Sequence, residues 1–325
     1  MIADALSRPV PSPIRPAMER LDGGSAVPQA LRGGIVALGN FDGFHIGHQA
    51  VVGRAVERGR AEGRPVLVAT FDPHPVRYFR PDAPPFRLTS LDQRRRLFAS
   101  AGADAMIVFR FGSELAATPA GDFISQTLLG LIGAAGVVTG EDFTFGQGRG
   151  GNIGVLAEAG RRLGFSVDPV APISDEEGPI SSSRIRSALQ AGDCRAAARL
   201  LTRPFAIEGV VEHGDKRGRE IGYPTVNIAL GPYLRPRFGI DAVRGRLDGG
   251  KILEGAANLG IRPTFEPPKE LLEPYFFDFE GDLYGRMLEV ELIDFLRSEA
   301  KYDSLDALKT QMTADCDEAR RRLAE

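Results

Sequence analysis

Between about residues 34 and 190 the chain alternates short apolar runs with longer amphipathic stretches, and no other feature narrows its fold as much. The runs are Ile35–Leu38, Val66–Phe71, Met106–Phe109, Gly136–Thr139 and Ser166–Val170; between them lie Gln49–Glu62, Leu91–Ala101, Asp122–Leu131 and Ile153–Leu163. A strand that is apolar on both faces must be covered on both, which a parallel sheet flanked by helices achieves. The spacing predicts a doubly wound α/β domain. After Pro204 the pattern changes. Strand-like stretches Phe205–Glu212, Ala242–Leu247, Glu273–Phe279 and Leu288–Ile293 are separated by Gly- and Pro-rich turns such as Asp248-Gly249-Gly250, as antiparallel structure requires. Leu305, Leu308, Met312, Cys316, Ala319 and Leu323 then recur at helical spacing behind Ser304, a suitable N-cap. This half reads as a small antiparallel β-barrel with a C-terminal helix. Residues 191–203 read as a linker. Residues 1–33, rich in proline and small residues, read as a poorly ordered tail.

Composition excludes several classes. A net charge of −3 over 325 residues argues against general nucleic-acid binding, which needs a basic surface. Cys194 and Cys316 form no metal-type pair, no apolar stretch reaches membrane-spanning length, and the start of the chain lacks the apolar run of a signal peptide. The expectation is a cytoplasmic protein without membrane or nucleic-acid partners, with weak self-association left open.

Leu38-Gly-Asn-Phe-Asp-Gly-Phe-His-Ile-Gly-His48 follows the first strand and leads into the first helix. There an α/β sheet presents backbone N–H groups and a positive helix end to an anion. His45 and His48 would share one side of the first turn, Gly47 would let a phosphate approach, and two imidazoles could stabilise charge on a transferred phosphoryl group. Zinc is the weaker reading, because only His74 and His213 remain as imidazoles and there is no cysteine cluster. Gly146-Gln-Gly-Arg-Gly-Gly151 matches a dinucleotide fingerprint, with Asp168 beyond it, but Glu141–Phe145 intervenes after the strand. Ile180-Ser-Ser-Ser-Arg-Ile-Arg186 places hydroxyls and arginines at a helix start.

These segments, with Thr70-Phe-Asp-Pro-His-Pro75 and Gly140-Glu-Asp-Phe-Thr-Phe-Gly146, resemble in order the adenylyltransferase module of bifunctional riboflavin kinase/FAD synthetases. The resemblance implies an α/β nucleotidyltransferase domain with a Rossmann-like parallel sheet. It places ATP contacts on His45 and His48, with Asn40, Gly47, Asp142, Ser182, Ser183 and Arg186 also nucleotide-binding. Ser183 stands where the family usually has Thr.

In the second half, Val211–Asn227 packs glycines, basic residues and oxygen ligands into one segment. It contains Gly214, Lys216, Gly218 and Arg219, expected over nucleotide phosphates, and Thr225 and Asn227, whose alternation puts both on one side of a strand as Mg²⁺ ligands. The segment resembles the riboflavin kinase signature, with further matches at Ala257–Phe265, Phe277–Gly285 and Arg297–Tyr302. The resemblance implies flavin contacts at Asn258 and Arg297, and a catalytic base at Glu291 on the strand after Asp282-Leu-Tyr-Gly285. Glu289 shares the face of Glu291 by period-two geometry. Asp241 and Pro274-Tyr275 depart from the family pattern, where an aromatic residue and a Val-His pair are common, and are expected to affect packing or flavin contacts.

The implied chemistry is phosphorylation of riboflavin to FMN by the C-terminal domain and adenylylation of FMN to FAD by the N-terminal domain, each with ATP and Mg²⁺. No covalent nucleophile is evident, so positioning and electrostatics would carry the adenylyl step. Rival readings are a nicotinamide oxidoreductase built on Gly146–Gly151 and a flavin-binding regulator with degenerate sites.

Overall fold

The computed structural model describes residues 18–213, 222–247, 250–262 and 269–325. They divide into two compact units. The first takes the described residues up to Asn40, Ala50–Phe79 and Arg95–Ala171; the second takes Phe41–Gln49, Arg80–Arg94 and the chain from Pro172.

The first unit is built on strands β1 (Glu19–Asp22), β2 (Ile35–Leu38), β3 (Val66–Asp72), β4 (Ala105–Arg110), β5 (Gly136–Gly140) and β6 (Ser166–Val170). They form a sheet of order β1-β4-β3-β2-β5-β6, parallel throughout. Along the chain come helices α1 (Ile46–Glu62), α2 (Pro75–Phe79), α3 (Leu91–Ala101), α4 (Ser113–Ala117), α5 (Ala120–Asp122), which runs into π-helical turns over Phe123–Ile132, and α6 (Ile153–Leu163). Every residue of β2 is buried, and Val36, Leu38, Leu67, Ile107 and Val137 pack with Phe123, Leu128 and Leu156. Strand order reverses between β2 and β5, the switch point where open α/β sheets bind ligands beyond their carboxyl ends.

The second unit holds a short hairpin, β7 (Ser174–Asp175) and β8 (Gly178–Pro179), then helices α7 (Ser182–Ala191) and α8 (Cys194–Leu201). Strands β9 (Phe205–Val210), β10 (Ile228–Ala229), β11 (Gly239–Leu247), β12 (Ile252–Arg262), β13 (Lys269–Phe276) and β14 (Met287–Arg297) follow, and helix α9 (Leu305–Ala324) closes the chain. The six form an antiparallel sheet of order β10-β13-β12-β11-β14-β9. A bridge between Glu212 and Asn227 nearly closes it into a barrel. Val243, Leu259, Leu272, Phe276, Leu288, Val290 and Leu292 fill the interior together with Leu88, Ile185, Leu189, Ala197 and Leu201. Side chains alternate across a strand, so Ala242, Ala256 and Phe277 lie on the outer face, where they meet Ala319 and Leu323 of α9.

Two expectations need correction, and one strand carried no sequence signal. Residues 18–33 are not a loose tail: β1 pairs with β4, and Val27 is buried with its N–H on the Leu131 carbonyl at 3.1 Å. Backbone pairing recruits the polar Glu-Arg-Leu-Asp stretch, so no apolar period announced it. Residues 191–203 carry α8, capped by Asp193 and buried at Cys194, Ala197, Leu200 and Leu201. Strand β12 was hidden because Gly255, Ala256, Ala257 and Gly260 blur its alternation.

Candidate active sites

Loop 41–44, before α1, departs from ordinary backbone: Phe41, Gly43 and Phe44 have φ of 51°, 86° and 46°. Such left-handed geometry at non-glycine residues persists only where the surroundings over-determine it. Asp42 supplies much of that restraint. Its buried carboxylate accepts the amide N–H of Leu88 at 3.0 Å and of Thr89 at 3.0 Å, and the Arg186 guanidinium at 2.8 Å. Ser182 Oγ donates to the Asp42 carbonyl at 2.9 Å, and the Gly43 N–H donates to Thr89 Oγ1 at 2.9 Å. The sequence reading missed Asp42; the only signal was an acid inside a glycine-rich turn.

This loop presents His45 and His48 at the start of α1, their rings stacked at 3.7 Å with 21° between planes. The His48 N–H donates to His45 Nδ1 at 3.4 Å, which leaves Nε2 as the protonated nitrogen of a neutral His45. Burial pushes the His45 imidazole down to about 4; Asp42 opposes this and Arg186 adds to it. A neutral His45 can stack on the His48 ring without charge repulsion. A Cβ at Gly47 would come within 3.2 Å of His45 Cε1, so glycine there makes room for the imidazole itself. Ser181 caps α7, Ser182 and Ser183 open it, and Ser183 is exposed. Arg186, expected on a phosphate, is committed to Asp42 and to the Phe86 carbonyl at 2.9 Å. Among the described residues no cluster of three His, Cys, Asp or Glu is placed to hold a metal ion.

In the first unit Asn40 follows β2 and its carbonyl accepts Thr70 Oγ1 at 2.8 Å. Asp142 is exposed just past β5, the strand next to β2, so both stand at the carboxyl edge of the switch point. Tyr78 and Phe79 of α2, both exposed, and the half-buried Phe111 after β4 form an aromatic group with centroids 5.2 to 5.8 Å apart; Phe79 is 65% exposed. The Gly146–Gly151 segment is a tight loop in which Phe145 and Gly151 pair through their backbones. Asn152 caps the following helix, and Asp168 pairs with Arg54 at 3.0 Å. The glycines therefore do not join a strand directly to a helix as a dinucleotide site requires.

On the barrel, register aligns a polar row across the outer face. Arg297 lies opposite Ile240, Ile240 opposite Asn258, and Asn258 opposite Glu273. The Val226 N–H donates to the Pro274 carbonyl at 3.1 Å, which continues the β10–β13 pairing and brings Asn227 alongside Glu273. Beside this row lies a cleft of about 930 Å³ whose lining includes Tyr223, Thr225, Ile240, Asn258, Glu273 and Arg297. Leu308 and Met312, expected to be core residues of the last helix, form another wall. Arg297 is held by Asp315 through two hydrogen bonds of 2.7 and 2.6 Å. Arg262 pairs with Glu273, and Tyr223 and Thr313 share a hydroxyl hydrogen bond of 2.8 Å. Asn258 Oδ1 is buried with no hydrogen-bond partner among the described residues, a desolvation cost that a ligand donor would relieve.

Glu291 is not in this cleft. It sits in the row Ala206–Glu291–Arg244–Glu254, four residues along β11 from Ile240, or about 13 Å. Its carboxylate pairs with Arg246 at 2.8 Å, and the adjacent Arg244 donates to the Leu323 carbonyl at the end of α9. Alternation gave the correct face but could not give the row. Glu273 lines the cleft, and nothing in the sequence signalled it, because only cross-strand register brings it beside Asn258. Asp241, expected to affect packing or flavin contacts, falls on the packing side. It lies opposite Ala257, faces the barrel interior, and accepts the Cys194 thiol at 3.8 Å. Burial pushes its carboxyl up to about 8. It therefore concerns the barrel core, whereas Tyr275 packs 5.2 Å from the Tyr223 ring at the cleft. Gly214, Lys216, Gly218 and Arg219 lie outside the described residues.

Comparison with known proteins gives a consistent picture. Residues 27–184 match the family described as FAD synthetase, and residues 201–323 the family described as riboflavin kinase. The bifunctional riboflavin kinase/FMN adenylyltransferase of Escherichia coli is 39% identical over 291 residues, 90% of this chain and 92% of that protein. The protein of the same description from Haemophilus influenzae is 38% identical over 90% of this chain and 95% of its own, and that from Bacillus subtilis 36% over 88% and 91%. A crystal structure described as a macrolide-efflux protein from Streptococcus pneumoniae superposes with a TM-score of 0.83 at 31% identity, covering 94% of this chain and 99% of that one. Among the described residues no helix is long and apolar enough to cross a membrane.

Proposed function

The chain belongs to the family of bifunctional riboflavin kinase/FMN adenylyltransferases, with the adenylyltransferase in its first part and the kinase in its second, and from that premise we propose how its residues divide the two reactions. Residues 34–190 transfer AMP and residues 204–325 phosphorylate riboflavin.

The observation that carries the kinase reading is the row joining Asn258 and Glu273 at the cleft. Riboflavin lies in the cleft with a donor on the orphan Asn258 oxygen, while Arg297, fixed by Asp315, shapes the adjoining wall. The 5′-hydroxyl oxygen bonds to the γ-phosphorus of ATP as the bond to the β-phosphate oxygen breaks. Glu273 accepts the hydroxyl proton, a task for a carboxylate within reach of the attacking oxygen. Thr225 and Asn227 offer neutral oxygens, a donor set suited to Mg²⁺ that keeps phosphate and water ligands. When bound there, Mg²⁺ neutralises charge on the transferring phosphate. Glu291 has a structural part, anchoring Arg246.

For adenylyl transfer, a phosphate oxygen of FMN attacks the α-phosphorus of ATP and pyrophosphate leaves. His45 donates from Nε2, and His48 and the amino end of α1 add to stabilisation of the growing charge. The exposed Tyr78 and Phe79 rings, with half-buried Phe111 beside them, suit an isoalloxazine face. A cytoplasmic setting fits two free cysteines.

The test is incubation with riboflavin, ATP and Mg²⁺, following FMN and FAD by chromatography. Glu273→Gln should form FMN from riboflavin about a hundredfold more slowly or worse, yet convert supplied FMN to FAD at the normal rate. Normal phosphorylation by Glu273→Gln, with loss in Glu291→Gln, would return the base to Glu291.

A further inference from the structure

Residues of the kinase-matched stretch reach into the histidine loop. Arg203 follows α8 and lies within the residues that match riboflavin kinase. Its guanidinium donates to the Gly43 carbonyl at 2.7 Å, to the Phe44 carbonyl at 3.4 Å and to the Leu201 carbonyl at 3.1 Å. Gln49 completes the clamp from the other side. Its amide donates to the Phe44 carbonyl at 2.9 Å, the Leu201 carbonyl at 3.1 Å and Thr202 Oγ1 at 2.8 Å. Burial lowers the Arg203 guanidinium to about 10, and Glu289 on β14 opposes that shift, so Arg203 remains charged at neutral pH.

We infer that Arg203 is a positioning residue for adenylyl transfer, holding the Gly43–Phe44 turn in the left-handed form that aims His45 and His48. The inference rests on the reading that these histidines serve that reaction. Phe44, with φ of 46°, directly precedes His45. Relaxation of Phe44 to negative φ would swing the His45 ring out of its stack. Of the other restraints on the loop, those from Asp42, Thr89 and Ser182 act on Asp42 and on the Gly43 N–H, and Gln49 adds a neutral donor on the Phe44 carbonyl. Arg203 is the charged donor on the Gly43 and Phe44 carbonyls, and a charge-assisted bond is the stronger kind. The first reaction centre therefore depends on a side chain outside the FAD synthetase match, which ends at residue 184.

The test uses the full chain with Arg203→Gln and Arg203→Lys, measuring riboflavin phosphorylation and FMN adenylylation on the same samples. A displaced reacting group costs up to a hundredfold, so Arg203→Gln should lower the adenylylation kcat by about tenfold or more, with the KM for FMN within about twofold. Riboflavin phosphorylation should stay within about twofold, and Lys should restore part of the loss. Wild-type adenylylation by a folded Arg203→Gln variant overturns the inference. So does parallel loss of both activities in both variants, which assigns Arg203 to general stability. His48→Ala is the separate control: full adenylylation by that variant removes the underlying reading whatever Arg203 does.

Discussion

Replacing Asp241 by Asn should make the barrel more stable, increasingly so as pH rises. The carboxyl is fully buried, and one of its oxygens has no hydrogen-bond partner among the described residues. Its pKa is raised from 3.8 to about 8, chiefly by burial, with nearby Asp294 adding and the Cys194 thiol opposing. A folded-state value above the unfolded one means the folded chain holds the extra proton. Its contribution is fully present below about pH 4, falls through the interval up to about pH 8, and is flat beyond. One proton is worth about 1.4 kcal/mol per pH unit, so the cost at pH 8 approaches about 5 kcal/mol. Asn keeps the shape and cannot ionise. The melting transition of variant and wild type should be followed by circular dichroism from pH 5 to 8.5. The gap should widen by about 1.4 kcal/mol per pH unit up to pH 8. A gap independent of pH would show that Asp241 ionises normally and refute the reasoning. Because Asp241 faces the interior, the KM for riboflavin should not move.

Other expectations concern the sites directly. Glu273→Gln should slow riboflavin phosphorylation by about a hundredfold or more, whereas Glu291→Gln should retain most of it; FMN formation measures both. His45 is neutral above about pH 5, since burial holds its imidazole near 4, so adenylylation should show no loss from this group between pH 5 and 8 and should fall only toward pH 4. An inflection near pH 6.5 that disappears in His45→Gln would contradict this. Asp42→Asn should leave Arg186 without its buried countercharge, costing about 3 kcal/mol or more, visible as a lower melting temperature and loss of FAD synthesis. Removal of Mg²⁺ with a chelator should stop both reactions, and readdition should restore them.

Much of this was legible locally. The five strands that alternate with helices announced the parallel sheet because burial on both faces demands continuous apolar runs. Ser304 announced the last helix because its side chain can cap the free N–H of Ala307. The histidine pair was legible because a strand-to-helix turn is a local object. Edge strand β1 and the glycine-rich β12 were not, since their order comes from partners rather than from their own residues.

The two-module order and the chemistry of each module followed from the chain itself, through motifs that are contiguous and whose backbone geometry is set by near neighbours. Tertiary structure alone decided which carboxylate lines the barrel cleft, that Asp241 points into the barrel, and that Arg203 bonds to the histidine loop. Each depends on register or packing between segments far apart in the chain. Period-two alternation tells which face a side chain takes; only pairing with a distant strand tells how far along the sheet it lies.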